Sequence, residues 1–146
     1  MTQPTSKPDA AAKDPNDWYL ETLVHIVTAT RFSLEITLSV GGTLISGQLI
    51  SGKEYLELTA DQLASAFMSL GVSAEGAKDI KEGLSRPAQA LYQDEKEAQS
   101  GGFGYIHLKN ARIISGASTQ PLGNACWRSR LSSVDGFVLG ALTKSA

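Results

Sequence analysis

The sequence predicts an α+β fold: an antiparallel sheet of about five strands, with an N-terminal helix and a helical insertion between the second and third strands. Three observations carry that prediction. From Phe32 to Val40, apolar and polar residues alternate with period two, as in a strand with one buried face. Before it, Leu20, Leu23, Val24 and Val27 recur at i, i+3, i+4 and i+7, which places them on one helical face. Two dipeptides, Gly41-Gly42 and Asp135-Gly136, stand between apolar runs and suit hairpin turns that need positive φ.

Residues 1–13, rich in Pro, Ala, Lys and Thr without periodicity, read as a flexible tail, and residues 14–146 as a single domain. Asp14 is placed to cap the first helix, with Pro15 in its first position and Asp17 in its first turn. In the strand that follows, Phe32, Leu34, Ile36, Leu38 and Val40 share the buried face. A tight turn at Gly41-Gly42 then pairs Val40 with Thr43, Leu38 with Ile45, Ile36 with Gly47 and Leu34 with Leu49. A bend at Gly47 would let the sheet curl into a small barrel of the Sm or SH3 kind.

The insertion covers about 52–99. Ser51 and Glu54 match a capping box, and Tyr55, Leu58 (or Thr59), Leu63, Ala66, Phe67 and Leu70 follow at helical spacing up to Gly71. A strand over Glu54–Leu58 is the competing reading. Residues 73–99 have helical spacing through Ala74, Ala77, Ile80, Leu84, Ala88 and Leu91, and Arg86-Pro87 is expected to break them in two. Ser100-Gly101-Gly102 closes the insertion as a loop. Two alternations out of register between Tyr105 and Ile114 imply a bulge near Lys109-Asn110. After a loop at Pro121–Asn124, Ala125–Val134 and Phe137–Thr143 are expected to form a second hairpin around Asp135-Gly136, with Val134 facing Phe137.

Composition narrows function by exclusion. Of 146 residues, 42% are hydrophobic and 19% charged, the balance of a globular chain. No apolar run approaches the ~20 residues that cross a bilayer, and the first residues lack the apolar core of a secretory signal. Cys126 is the single cysteine, which excludes an internal disulfide and makes the cytoplasm the expected compartment. The net charge of −2 hides an asymmetry: residues 1–102 hold eight Lys or Arg against fourteen Asp or Glu, whereas residues 103–146 hold five against Asp135 alone. The asymmetry reads either as ordinary surface solvation or, more sharply, as a means by which the acidic part of one molecule attracts the basic part of another.

Catalytic and cofactor chemistry finds no footing. His25 and His107 have no second ligand at metal spacing, and read as structural. Cys126 stands two residues from Arg128, where a cation lowers a thiol pKa, but no base stands near it in sequence. There is no G-x-S-x-G elbow, and Gly101, Gly102 and Gly104 do not link a strand to a helix as a phosphate loop does. Trp127-Arg128-Ser129-Arg130 is a different case, since an aromatic flanked by arginines can stack on bases and contact phosphates. In a strand, however, Arg128 and Arg130 share one face while Trp127 and Leu131 share the other. The acidic pI of about 5.6 also opposes nucleic-acid binding, which needs a dominant positive field.

The segments FSLEITLSVGGTLISGQLISGKEY, YIHLKN, WRSRL and VDGFVLG, within residues 32–55 and 105–140, resemble the gas vesicle accessory proteins of the GvpU family in order and approximate spacing. The resemblance implies a non-enzymatic accessory protein without cofactor or metal, acting on gas vesicle assembly or clustering through protein–protein association. The implied partners are the vesicle shell or other gas vesicle proteins and further copies of the chain, without a membrane, and the implied location is the cytoplasm, on gas vesicles. Arg112, Trp127, Arg128 and Arg130 are the candidate interaction residues. An Sm-like RNA-binding module is the alternative reading.

Overall fold

In the computed structural model, residues 16–92, 104–116, 118–122 and 125–140 are described. The expected tail at 1–13, Asp14-Pro15, the end of the insertion at 93–99 and the Ser100-Gly101-Gly102 loop lie outside them. Helix α1 spans Trp18–Thr30. Its N-cap is Asp17, whose carboxylate accepts from the Tyr19 N–H at 2.8 Å, so Asp17 caps the helix instead of sitting in its first turn. Leu20, Val24 and Val27 are buried and Leu23 packs beside them, as the spacing requires. Arg31 stops the helix in the left-handed region at φ 60°, its N–H donating to the Val27 carbonyl.

Strands β1 (Leu34–Val40) and β2 (Thr43–Ile50) pair antiparallel in the register expected from sequence, Val40 with Thr43 through Leu34 with Leu49. Gly41 and Gly42 take φ of 58° and 84°, as a turn with two positive φ values demands. Phe32 does not extend β1 and is exposed. Continued register would pair it with Ser51, which is already committed as the N-cap of the next helix. Both faces of the sheet are covered at its centre: Ile36 and Leu38 face α1, and Thr37 on the other face is also buried.

Helix α2 (Gly52–Ser69) replaces the competing strand reading. The Ser51 hydroxyl accepts from the Glu54 N–H at 3.1 Å. The box is not reciprocal, because the Glu54 carboxylate accepts from Lys109 Nζ at 2.8 Å instead. Ala60 and Ala64 are the buried apolar side chains of α2, while Leu63, Phe67 and Leu70 of the expected apolar stripe are exposed. Helix α3 (Ala74–Tyr92) packs on α2 and runs unbroken through Pro87. Proline removes one backbone bond, and its penalty of about 3 kcal/mol does not end this helix, which packs on α2.

Strand β3 (Tyr105–Ser115) joins β2, with the expected bulge where Ser46 and Gln48 face Arg112 and Lys109. Asn110 takes φ 52° there. Strands β4 (Ser118–Pro121) and β5 (Trp127–Arg130) line the far side of β3 one after the other. A 3-10 turn at Leu131–Ser133 then carries the chain to β6 (Gly136–Leu139), which pairs with β1. The expected second hairpin therefore does not form, and Asp135-Gly136 is not its turn. Asp135 instead ties β6 to the first hairpin: its N–H donates to the Ser39 carbonyl at 2.8 Å, and its carboxylate accepts from the Gly41 N–H at 2.9 Å. Thr143, at the expected end of that hairpin, lies outside the described residues.

The sheet has six strands in the order β4-β3-β2-β1-β6, with β5 beside β3. It stays open, since β6 pairs with β1 and not with β4 or β5, so the barrel suggested by Gly47 does not close. One core lies between α1 and the sheet, formed by Leu20, Val24, Ile36, Leu38, Leu49, Ile106, Leu108 and Leu131. Leu131 anchors the turn that sends β5 and β6 to opposite edges.

Candidate interaction surface

Alternation along β5 sorts its four residues. Arg128 and Arg130 are exposed, while Trp127 and Ser129 point to the core side and are half-buried. Trp127 packs against the hydrophobic core. It therefore shares no surface with the arginines, and the stacking role considered for it has no ring to offer there.

An aromatic partner for Arg128 comes from the neighbouring strand. Register places Tyr105 opposite Arg130 and His107 opposite Arg128. The Arg128 guanidinium sits 4.0 Å from the centroid of the Tyr105 ring, a cation–π contact that holds the long side chain in one place. Behind it, the His107 ring lies 4.6 Å from that of Tyr55 on α2. Burial, and next the charge of Arg128, push the His107 pKa down to about 4, so this histidine is neutral at neutral pH.

Lys109 and Glu54 form a half-buried ion pair at 2.8 Å that ties β3 to α2. Cys126 is half-buried, and its thiol pKa is raised, by burial first and by Glu54 second, against the pull of Lys109. It is not an activated nucleophile. Among the described residues no three His, Cys, Asp or Glu side chains gather to hold a metal ion.

Arg112 stands apart. It lies five positions beyond His107 on β3, about 16 Å along the strand, opposite Ser46 of β2 and Pro121 of β4. It is half-buried, with a buried Nε that has no hydrogen-bond partner. The four candidate residues thus resolve into one exposed pair, Arg128 and Arg130, and two side chains elsewhere. Tyr105 completes the surface, with the buried His107 and half-buried Tyr55 behind it, and Tyr105 was not singled out in the sequence. The alternation of Tyr105, His107 and Lys109 against Ile106 and Leu108 was the available signal, but it does not reveal which strand lies alongside.

The site is a positively charged, partly aromatic strip suited to acidic groups. A sequence profile described as "Gas vesicle protein GvpU-like" matches residues 17–142. Neither the curated proteins nor the solved structures contain a match to the chain. The profile spans α1 through β6 and most of the chain, and on that match the chain belongs to the GvpU-like family of gas vesicle proteins.

Proposed function

We propose that this chain is a non-enzymatic gas vesicle accessory protein, working in the cytoplasm on vesicle assembly or clustering through protein–protein association. The strip at Arg128, Tyr105 and Arg130 is the contact surface for acidic groups of vesicle shell proteins, of other gas vesicle proteins, or of another copy of the chain. The observation that carries this reading is the pair of exposed, like-facing arginines, one of them ordered over an aromatic ring. An arginine already held in place loses less entropy when it meets a carboxylate.

The rest of the molecule fits the role. The α2–α3 arm exposes Glu57, Asp61, Glu75, Asp79 and Glu82 against Lys78, Lys81 and Arg86, with Asp61 paired to Lys81, a net acidic surface that the strip of another copy would meet head to tail. No helix among the described residues is long and apolar enough to cross a membrane.

The test is co-flotation of purified protein with gas vesicles at low salt. Arg128→Glu/Arg130→Glu should stay folded and lose most of its vesicle-bound fraction, because both side chains are exposed. Equal flotation of the double variant and the wild type would refute the surface. Salt-resistant RNA retention in a filter assay would instead favour nucleic acid as the ligand.

A further inference from the structure

The edge of the sheet formed by β6 carries features that the basic strip does not use. β6 pairs with β1 on one side and with no other strand among the described residues. The Gly140 N–H donates to the Glu35 carbonyl at 2.8 Å, so Gly140 and Glu35 form a hydrogen-bonded pair. Antiparallel ladders alternate, so Val138 also turns its backbone groups to β1, and Phe137 and Leu139 turn theirs outward. The strand reads Gly-Phe-Val-Leu, with no charge and no proline. Charge and proline are two of the means by which an exposed edge is kept from pairing, and this four-residue edge has neither.

The side chains around this edge are apolar too. Val138 and Leu139 are 55% and 54% exposed, one on each face of the sheet. Tyr19 of α1 stacks on Phe137 with ring centroids 5.8 Å apart, and Trp18 lies edge-on to Tyr19 at 5.6 Å while 73% exposed. An exposed tryptophan and tyrosine beside an open strand are the residue types that anchor interfaces. Trp18, Tyr19, Val138 and Leu139 together expose on the order of 400 Å² of apolar surface. That is close to the apolar share of one side of a standard interface, which buries about 800 Å² per partner.

We infer that the β6 edge is a homodimer interface, at which a second copy of this chain adds its own β6 antiparallel about a two-fold axis. The outward groups fix the register. With Phe137 and Leu139 turned outward, Val138 meets Val138 of the second copy at the axis, and Phe137 pairs with Leu139 in both directions. That pairing closes four backbone hydrogen bonds, two in each pair. The second copy is the fitting occupant because the edge is self-complementary: an uncharged strand meets its like without opposing charges, and one two-fold axis satisfies both edges at once. The aromatic pair on each α1 then flanks the joined strands. This inference rests on the self-association included in the proposed function and assigns it to the β6 edge in place of the head-to-tail contact of the strip with the α2–α3 arm.

The test uses the full chain, without vesicles, in sedimentation velocity from micromolar to hundreds of micromolar protein. The wild type is expected to dimerise. Leu139→Pro removes an outward N–H, two per dimer, while leaving the bonds to β1 in place, and should raise the dimer dissociation constant roughly tenfold to a hundredfold. Val138→Lys places two like charges face to face at the axis and should also leave a monomer. Far-UV circular dichroism and the melting temperature of each variant report whether the fold survives. Trp18→Ala, outside the strand, gives a second route to the same answer, since it should weaken the dimer without touching the β6 backbone.

A wild type that stays monomeric throughout the range overturns the dimer and its self-association together, and leaves the vesicle contact of Arg128 and Arg130 to its own assay. A dimer that survives Leu139→Pro, Val138→Lys and Trp18→Ala keeps self-association but overturns this edge as its surface. Dimerisation lost in Arg128→Glu/Arg130→Glu and kept in the β6 variants would assign it to the basic strip instead.

Discussion

Gly47→Ala tests how β2 and β3 are joined, because the structure fixes both the sign and the scale of the effect. A Cβ at this position would stand 3.0 Å from the Lys109 carbonyl oxygen, 3.3 Å from Ala111 Cα and 3.3 Å from Leu108 Cβ. Two of these three are backbone atoms of the bulged part of β3, which its pairing with β2 holds at Lys109 and Arg112 and the Leu122 N–H holds at the Ala111 carbonyl. They cannot swing aside as the end of a flexible side chain can. Overpacking of this kind costs about 1–3 kcal/mol. The lower entropy of unfolded alanine offsets about 0.4–1 kcal/mol of that, leaving a net loss of about 1–2 kcal/mol. For a chain of this size the melting temperature should fall by roughly 3–8 °C. Gly83→Ala is the matched control: nothing lies within 4 Å of its Cβ, and it sits inside α3, so the same substitution should stabilise by up to about 1 kcal/mol. Urea unfolding followed by circular dichroism measures both. If Gly47→Ala is as stable as the wild type, β3 does not approach Gly47 as closely as described.

Two further perturbations separate the faces of the sheet and the state of its buried histidine. Ile36→Asp and Thr37→Asp should each cost several kcal/mol, because Ile36 is fully buried and Thr37 is buried with its hydroxyl donating to the Gly140 carbonyl at 2.9 Å; exposed Glu35→Lys should stay within about 0.5 kcal/mol. Thermal melts rank the three, and a Thr37→Asp variant as stable as the wild type would show that face to be open to solvent. For His107, a folded pKa of about 4 against an ordinary 6.5 means that the unfolded chain binds the extra proton between those values. Its contribution is therefore neutral above pH 6.5, and stability falls as pH drops from 6.5 through 4, by up to about 3 kcal/mol. His107→Phe should flatten that part of the urea-midpoint profile, and an unchanged slope would mean that His107 is not the group responsible.

What could be read from sequence was what local geometry decides. The β1–β2 register follows residue by residue from two glycines that allow one tight turn, because a slip of one position would turn Ile36 and Leu38 to the wrong face. Asp135-Gly136 has equally favourable turn chemistry, yet its partner is the Gly41 N–H, 94 positions away, and no local pattern encodes that choice. The two faces of β5 were legible from alternation, so Arg128 and Arg130 were correctly placed together. Tyr105 was not linked to them because the β3–β5 pairing depends on where the far edge of β3 passes from β4 to β5. Arg112 was grouped by charge alone, and charge says nothing of distance along a strand.

The basic strip and the β6 edge lie at opposite edges of the sheet, on β5 beside β3 and on β6 beside β1, and that separation would give the proposed clustering a mechanism. A two-fold dimer joined through β6 carries two strips, and a particle with two equivalent contacts can bridge two vesicles where a monomer only coats one. The contacts differ in kind, so salt should separate them. Attraction between exposed charges fades as the Debye length shrinks from about 10 Å at 0.1 M to about 3 Å at 1 M, whereas apolar burial and backbone pairing do not depend on it. In a salt series with gas vesicles, wild-type protein should cluster them at low salt and release them as dimers at high salt. Leu139→Pro should still float with vesicles at low salt but raise light scattering far less, and Arg128→Glu/Arg130→Glu should remain dimeric yet neither float nor cluster. Clustering by Leu139→Pro equal to that of the wild type would show that bridging needs no β6 dimer. Head-to-tail contact between the basic strip and the acidic α2–α3 arm would then be the remaining route.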